Sequence, residues 1–532
     1  MKIRIINIIM IIGTVAIVFA SCTKKLDRKP YVDVTSETVF NDPIKIKEAL
    51  AKLYAGLSLS GQDVVNNPDI AALDVGANVY LRNYFEAQEL PTDEAVISWN
   101  DADLQQYHTM NWTPNMSFIG TMYSRIFLEI SLCNEFIRET PDSKLNSSGF
   151  SSSDIVAIQT YRNEARFLRA FSYWHAIDMF GNVPFVTESA PVGSFFPPQA
   201  SRDSVFSFVE SELLDLQNLL PDPETNEFGR ADKGAAWMLL AKIYLNAEVY
   251  TGTARYTDAI TYCNKIISSG AYSLEPNYAN LFLADNSNSK EIIFAIRADG
   301  LTSQSYGNTT FIVHAQVGGS MDATNTFGIK SGGWAGLRTT KSLVQLFPDP
   351  SGNMDKRAMF YTNGQTLDIK DIKSFTDGYA ISKYKNISSA GVPGSDPTGT
   401  FVDTDFPMFR LADVYLMYTE AVLRGGLGGD NGTALNYINL LRQRAYGNTS
   451  GNIAAADLTL DFIINERARE LYWEGHRRTD LIRFGEFTGG TYLWPWKGGV
   501  EAGAAVDVHY NLYPIPSSDI VANPQLVQNP GY

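Results

Sequence analysis

Three large rings stand where the chain offers them little local core to enter. Trp99 lies in Ile97-Ser98-Trp99-Asn100-Asp101-Ala102-Asp103, Tyr306 in a Ser/Gly loop, and Trp334 between glycines in Ser331-Gly332-Gly333-Trp334-Ala335-Gly336. Flat rings pack on the axial C–H faces of sugars, whose hydroxyls seek Asn, Asp and Arg. The chemistry on offer is therefore the binding of neutral glycans. For any one ring taken singly, the competing reading is that it plugs its own loop against the body of the protein.

Catalytic motifs do not compete with that reading. The five histidines, His108, His175, His314, His476 and His509, are far apart, no two have metal-ligand spacing, and neither H-E-x-x-H nor G-x-S-x-G occurs. Gly425-Gly426-Leu427-Gly428-Gly429 follows a helical pattern rather than a strand, so it reads as a helix C-terminal turn, not a dinucleotide loop. The densest charge cluster runs from Glu466 and Arg467 through Arg469, Glu470, Glu474, His476, Arg477, Arg478 and Asp480 to Arg483. Glu466 with Arg469, Arg467 with Glu470 and Glu474 with Arg477 are three apart, which predicts ion pairs on a helix surface rather than a general acid and base. Asp285-Asn286-Ser287-Asn288 has oxygen ligands that a structural calcium would accept, but it lacks the spacing of a calcium loop and reads more simply as a solvated turn. No catalytic residue, metal site or other cofactor is expected.

The elements that must position the rings are mostly helices. Trp237-x-x-Leu240-Ala241-x-x-Tyr244 followed by Ala259-x-x-x-Cys263 is close to the tetratricopeptide pattern, with about six extra residues between its two helices. Apolar spacing of three and four predicts further helices over Ser153 to Met179, Ser204 to Leu220, Phe409 to Arg424 and Thr433 to Arg444. Such helix pairs cannot bury their apolar faces singly, so several must stack. Glu291 to Ile296 reads as a short buried strand, and Gln316 to Gly336 and Ser388 to Asp405 as long loops. Cys133 and Cys263 fall inside helical patterns and read as buried free thiols.

Composition bounds the partners. The 532 residues carry 43 basic and 58 acidic side chains, a net charge of −15, which argues against nucleic acid. The first 21 residues, with Lys2 and Arg4 ahead of an apolar run ending in Phe19-Ala20-Ser21-Cys22, read as a lipoprotein signal peptide. Acylated Cys22 would anchor a soluble body to a bilayer, and residues 22–40 would be the tether.

Several long motifs then resemble, in order, those of the SusD/RagB family of nutrient-binding outer-membrane lipoproteins. They are Glu164-Ala165-Arg166-Phe167-Leu168-Arg169-Ala170 with Phe180-Gly181-Asn182-Val183-Pro184; Gly229-Arg230-Ala231-Asp232-Lys233; Phe409-Arg410-Leu411-Ala412-Asp413; Glu466 to Gly485; and the terminal Tyr513-Pro514-Ile515-Pro516 and Gln528-Asn529-Pro530-Gly531-Tyr532. The resemblance implies a mainly α SusD-like fold, with four tetratricopeptide-type helix pairs packed against a loop-rich region with a few short strands. It implies one such domain over 41–532, with an N-terminal half at about 41–222 and a C-terminal half at about 280–532. It also implies a binding protein, not an enzyme, lipid-anchored and surface-exposed on the outer membrane, which delivers its ligand to a SusC-like TonB-dependent transporter.

Glu89-Leu90-Pro91-Thr92-Asp93-Glu94, Tyr492-Leu493-Trp494-x-Trp496-Lys497-Gly498-Gly499 and Tyr306-Gly307 are most similar to the family's starch-binding members. That similarity implies an arc of Trp99, Tyr306 and Trp334 following an α-glucan, with Arg82 reading its hydroxyls. Two positions depart from the pattern. Ile97 replaces a second tryptophan, and the family's hydrogen-bonding asparagine falls at Ala102, leaving Asn100 or Asp101 as substitutes. Left open are a different glycan or peptide as ligand, an assembly scaffold that binds no sugar and, least favoured, a glycoside hydrolase with paired carboxylates.

Overall fold

The computed structural model describes residues 36–532 except 65, 66, 72, 102 and 194. The expected signal segment 1–21, Cys22, the tether as far as residue 35, and Ala102 lie outside the described residues.

Helix ends follow local chemistry. α1 (Pro43–Ser58) opens on a proline, whose missing N–H is no loss in a first turn, and Asp42 caps it by accepting from the Ile44 N–H at 2.9 Å. α2 (Tyr80–Glu89) and α3 (Ser117–Glu139) follow. Ser151, Ser201 and Asp232 cap α4 (Ser152–Phe180), α5 (Arg202–Leu216) and α6 (Lys233–Leu245), each accepting from the N–H three residues on. α7 (Tyr256–Ser269) stops at Gly270, which takes the left-handed conformation and turns its N–H back onto the Ile267 carbonyl at 3.3 Å. Beyond a loop-rich stretch come α8 (Thr309–Ala315), α9 (Leu411–Leu423), α10 (Asn431–Tyr446), α11 (Leu460–Leu471) and α12 (Arg477–Arg483).

Neighbours in sequence pack as pairs, α3 on α4, α6 on α7 and α9 on α10, and the pairs are joined through α4 with α5 and α7 with α9. The expected helix over Phe409 to Arg424 begins differently. Phe409 and Arg410 belong to a strand, Phe406–Arg410, which pairs antiparallel with Ile292–Ile296, and the helix starts only at Leu411. All ten residues of this two-stranded ribbon are buried; Ile292–Ile296 is the strand expected over Glu291 to Ile296, whereas Phe406–Arg410 runs directly into the helix, so no turn residue marks the boundary between them. One contiguous apolar core runs from Ile46 to Leu526. Chain-distant ends meet in it: the Trp473 indole donates to the Glu94 carbonyl at 3.2 Å, and the Tyr513 hydroxyl to the Ala87 carbonyl at 2.6 Å. Cys133 and Cys263 are buried free thiols.

The charge cluster from Glu466 to Arg483 is not a helix surface. Glu466, Glu470, Glu474 and Arg478 are fully buried, and only one of the three expected spacings, Glu466 with Arg469 at 2.7 Å, forms a pair. Arg467 instead bridges Asp413 and Asp480, Glu474 holds Lys383 and Arg410, and Arg477 grips both oxygens of Asp93 at 2.7 and 2.6 Å. The partners come from as far as 384 residues away, which spacing along one helix cannot reveal. Removing one member of such a network strands its partner's charge in the interior, so the cluster locks α11 and α12 to α2's flank and to the Phe406–Arg410 strand.

Candidate functional site

A short antiparallel ladder brings the rings together. Val96–Ile97 pairs with Leu337–Arg338, and past its end the Ser98 N–H donates to the Gly336 carbonyl at 2.9 Å and the Ser98 hydroxyl to the Ala335 carbonyl at 2.6 Å. Trp99 and Trp334, 235 positions apart, thus leave the same end of the ladder, and the Trp99 indole N–H donates to the Trp334 carbonyl at 3.0 Å. Gly336 is needed here, because a Cβ on it would sit 2.7 Å from Trp99 Cε2.

The Trp334 loop is held from beneath by α8. Trp334, Ala335 and Gly336 donate their N–H groups to the carbonyls of His314, Val317 and Ala315, each at 2.8 Å. The His314 ring stacks on Trp334 with centroids 4.6 Å apart and planes 22° apart, and its two nitrogens lie 2.7 Å from the Gly332 and Thr400 carbonyl oxygens. Burial lowers its pKa, and those two contacts oppose the shift. Tyr306, in the loop that precedes α8, leans on Phe401 with centroids 5.0 Å apart.

All three rings are half-buried, so the expectation that each has little local core to enter holds only in part. Trp334 is the middle member, 6.3 Å from Trp99 and 6.3 Å from Tyr306 between centroids, with its plane turned 45° from each. Together they line one open cavity of about 510 Å³, and Arg82, Asn100 and Asp101 line it with them. The six residues singled out in the sequence therefore converge on one place.

Arg82 comes from α2, is 6% exposed, and spreads over the Phe311 ring at 4.4 Å and the Trp99 ring at 5.5 Å. Its Nε donates to Glu86 at 2.9 Å, while its two terminal nitrogens have no partner among the described residues. Burial raises the Glu86 carboxyl above its usual pKa, and the Arg82 charge works against that. The side chains of Asn100 and Asp101 and the Tyr306 hydroxyl likewise have no partner among the described residues. Asp74 also lines the cavity and was not anticipated. One of its oxygens accepts from the Gly76 and Ala77 N–H groups, and the only trace of this in the sequence is an aspartate two residues before a glycine. Ile97 is fully buried and does not line the cavity, so this position serves core packing at the ladder, not the ring surface.

The Asp285 turn is occupied by the protein itself: its carboxylate accepts from the Ser389 N–H at 2.8 Å and the Ser389 hydroxyl at 2.6 Å. Among the described residues, no group of three or more His, Cys, Asp or Glu side chains is arranged to hold a metal ion. Around the rings, then, the lining supplies stacking faces, one half-paired guanidinium, two carboxylates and an amide.

Comparison with known proteins places the chain. Residues 350–532 match the family model described as "SusD family", and residues 25–245 the one described as "Starch-binding associating with outer membrane". The starch-binding protein SusD of Bacteroides thetaiotaomicron is 34% identical over 561 aligned positions, covering 96% of each chain. Among solved structures, the surface glycan-binding protein A of Bacteroides fluxus superposes with a TM-score of 0.70 at 22% identity, over 92% of this chain and 99% of that one. The surface glycan-binding protein A of Bacteroides thetaiotaomicron, solved in complex with laminarihexaose, gives 0.67 at 22% identity, over 91% and 98%. A curated relative one-third identical over nearly the whole length, and a fold shared with solved members across more than nine-tenths of the chain, lead to one conclusion: the chain belongs to the SusD family.

Proposed function

We propose that the protein captures neutral oligosaccharides, α-glucans foremost, at the outer membrane. SusD-family proteins bind carbohydrate without catalysis, so the protein is not an enzyme. The observation that carries the reading is the convergence of Trp99, Tyr306 and Trp334 on one open cavity beside unpaired Arg82 nitrogens. Rings stepped by 45° suit a chain whose successive sugar faces turn, as they do in an α-glucan, better than a flat ribbon. Arg82, Asn100 and Asp101 would read hydroxyls at the edge of the stack. The relative named as starch-binding agrees with the α-linkage, whereas the neighbour solved with laminarihexaose favours a β-glucan as the second reading.

Calorimetry with maltoheptaose and laminarihexaose separates the two. Trp99→Ala is expected to abolish measurable affinity for the preferred sugar; because the ring is half-buried and its N–H is bonded to the Trp334 carbonyl, some stability is lost as well, and circular dichroism at the assay temperature checks that the fold is kept. Binding that survives this substitution unaltered removes the ring-platform reading. Failure of both sugars to bind, with retained copurification of a transporter, favours the assembly scaffold instead. The anchor would be acylated Cys22, and the recipient of the captured sugar a SusC-like TonB-dependent transporter in the same membrane.

A further inference from the structure

His314 does not line the ring cavity, yet its ring sits directly against the surface that does. It is fully buried, stacked on Trp334 and enclosed by two loops. Both of its nitrogens face carbonyl oxygens at 2.7 Å, Nδ1 that of Gly332 and Nε2 that of Thr400. A neutral imidazole has one N–H, so it donates to one of these oxygens and turns a lone pair on the other. Only the imidazolium donates to both.

The two carbonyls belong to the loops that support two of the three rings. Gly332 lies two residues before Trp334, and Thr400 precedes Phe401, the ring on which Tyr306 leans with centroids 5.0 Å apart. Asp396 stiffens the second loop by accepting from the Thr400 and Phe401 N–H groups at 3.0 and 2.9 Å. The His314 main chain is anchored in turn, since its carbonyl accepts from the Trp334 N–H at 2.8 Å. One imidazole therefore spans the gap between the supports of Trp334 and Tyr306, whose centroids lie 6.3 Å apart.

From this geometry we infer that His314 is a positioning residue of the ring surface, and that its protonation clamps both loops, so that sugar binds more tightly as the pH falls. The inference rests on the sugar reading of the cavity and deepens it by coupling the site to a proton. In the neutral form the carbonyl that meets the lone pair is pushed off, and the Trp334 loop or the Phe401 loop moves with it. Burial lowers the pKa of the ring from its usual 6.5, and the two carbonyls oppose that. The charged groups on the packed elements are Arg82 and Glu86 on α2, Asp101 beside Trp99, Lys330 on the Trp334 loop, and Asp396 and Asp403 on the Thr400 loop. None of them acts on the His314 proton. The sign follows: a sugar that selects the clamped form raises the pKa of the ring as it binds, takes up a proton, and gains affinity as the pH falls below about 6.5.

The test is calorimetry of the full chain with maltoheptaose and laminarihexaose at pH 7.5, 6.0 and 5.0, repeated in buffers of different ionisation enthalpy to count protons. Affinity is expected to rise about three- to ten-fold from pH 7.5 to 5.0, the net worth of one hydrogen bond, with proton uptake at pH 6.0. His314→Gln, which keeps an amide donor but does not titrate, is expected to flatten the rise and abolish the uptake. His509→Gln, outside the cavity, is expected to change neither. A merely structural histidine would lower affinity by the same factor at every pH. In the free wild-type protein, amide exchange corrected for its intrinsic pH dependence is expected to slow over 330–336 and 398–402 on acidification. Proton counting and exchange need only the wild type, so they decide the matter even where His314→Gln does not fold. A pH profile shared by wild type and His314→Gln, absence of proton uptake, or exchange in these segments indifferent to pH would each overturn the inference. Binding of neither sugar at any pH refutes the sugar reading instead, and the exchange comparison then decides the clamp by itself.

Discussion

Gly336→Ala is the sharpest probe of how the ring surface is made. The glycine has ordinary backbone angles, so alanine meets no conformational penalty there, and the whole effect must come from its methyl group. That carbon would lie 2.7, 2.8 and 3.0 Å from Trp99 Cε2, Cζ2 and Nε1. The Gly336 backbone cannot retreat, since its N–H donates to the Ala315 carbonyl at 2.8 Å and its carbonyl accepts from Ser98 at 2.9 Å. The rigid indole must therefore swing away by roughly 0.7 Å or more to regain normal contact, breaking its bond to the Trp334 carbonyl. Overpacking of this kind costs about 1–3 kcal/mol of stability. A displaced stacking partner at one end of the ring row loses about 1–2 kcal/mol of binding, or about 5- to 30-fold in affinity for maltoheptaose. Calorimetry, urea denaturation and the indole emission of the free protein read the three consequences separately. Coupling with Trp99→Phe, whose smaller ring leaves room for the methyl group, is expected to restore stability but not affinity. Wild-type affinity together with unchanged emission in Gly336→Ala would refute the claim that this contact sets the position of Trp99.

Two further predictions concern buried carboxyls with opposite pH behaviour. Burial holds the Glu129 carboxyl at about 8 despite Lys52 and Arg125 nearby, so the unfolded chain releases this proton from its usual 4.5 upward while the native protein keeps it. Stability drains as pH rises across that window, and Glu129→Gln is expected to gain about 2–4 kcal/mol in urea at pH 7.5 and little at pH 4.5. At Glu466 burial again works to raise the pKa, but Arg357, Arg469 and Arg442 overcome it and bring the carboxyl down to about 2. Its contribution, about 3 kcal/mol, is complete above its usual 4.5 and is lost as pH falls toward 2, a slope that Glu466→Gln should flatten in acid-unfolding curves.

The stacked helices were legible because their apolar residues recur at three and four, and the structure begins and ends α4 within one residue of the expected Ser153 and Met179. The strand at Phe406–Arg410 was not legible, because it passes straight into the helix that begins at Leu411 with no turn residue between them, whereas the equally buried Ile292–Ile296 is set apart from any helix and reads as a strand. The Glu466 to Arg483 cluster was misread for another reason. Charged residues three apart look alike whether they face water or interior, and only Asp93, Arg357, Lys383, Arg410 and Asp413, all supplied by distant segments, decide between the two. Asp74 was missed because a turn-forming aspartate before glycine occurs all along a chain and marks a ligand site only when something else faces it.

What the amino-acid order determined by itself was the inventory. It set large rings in loops poor in apolar neighbours, no nucleophile or metal-ligand spacing, helices obliged to stack, and a residue order matching one family. Only the tertiary structure decided that the rings form a surface. Trp99 and Trp334 meet through a two-residue ladder, Tyr306 joins them through α8, and Arg82 is left half-paired because Glu86 satisfies its Nε alone. Local sequence dictates conformations over a few residues, whereas a binding surface depends on distances between groups hundreds of positions apart, and those are settled by how the whole core packs.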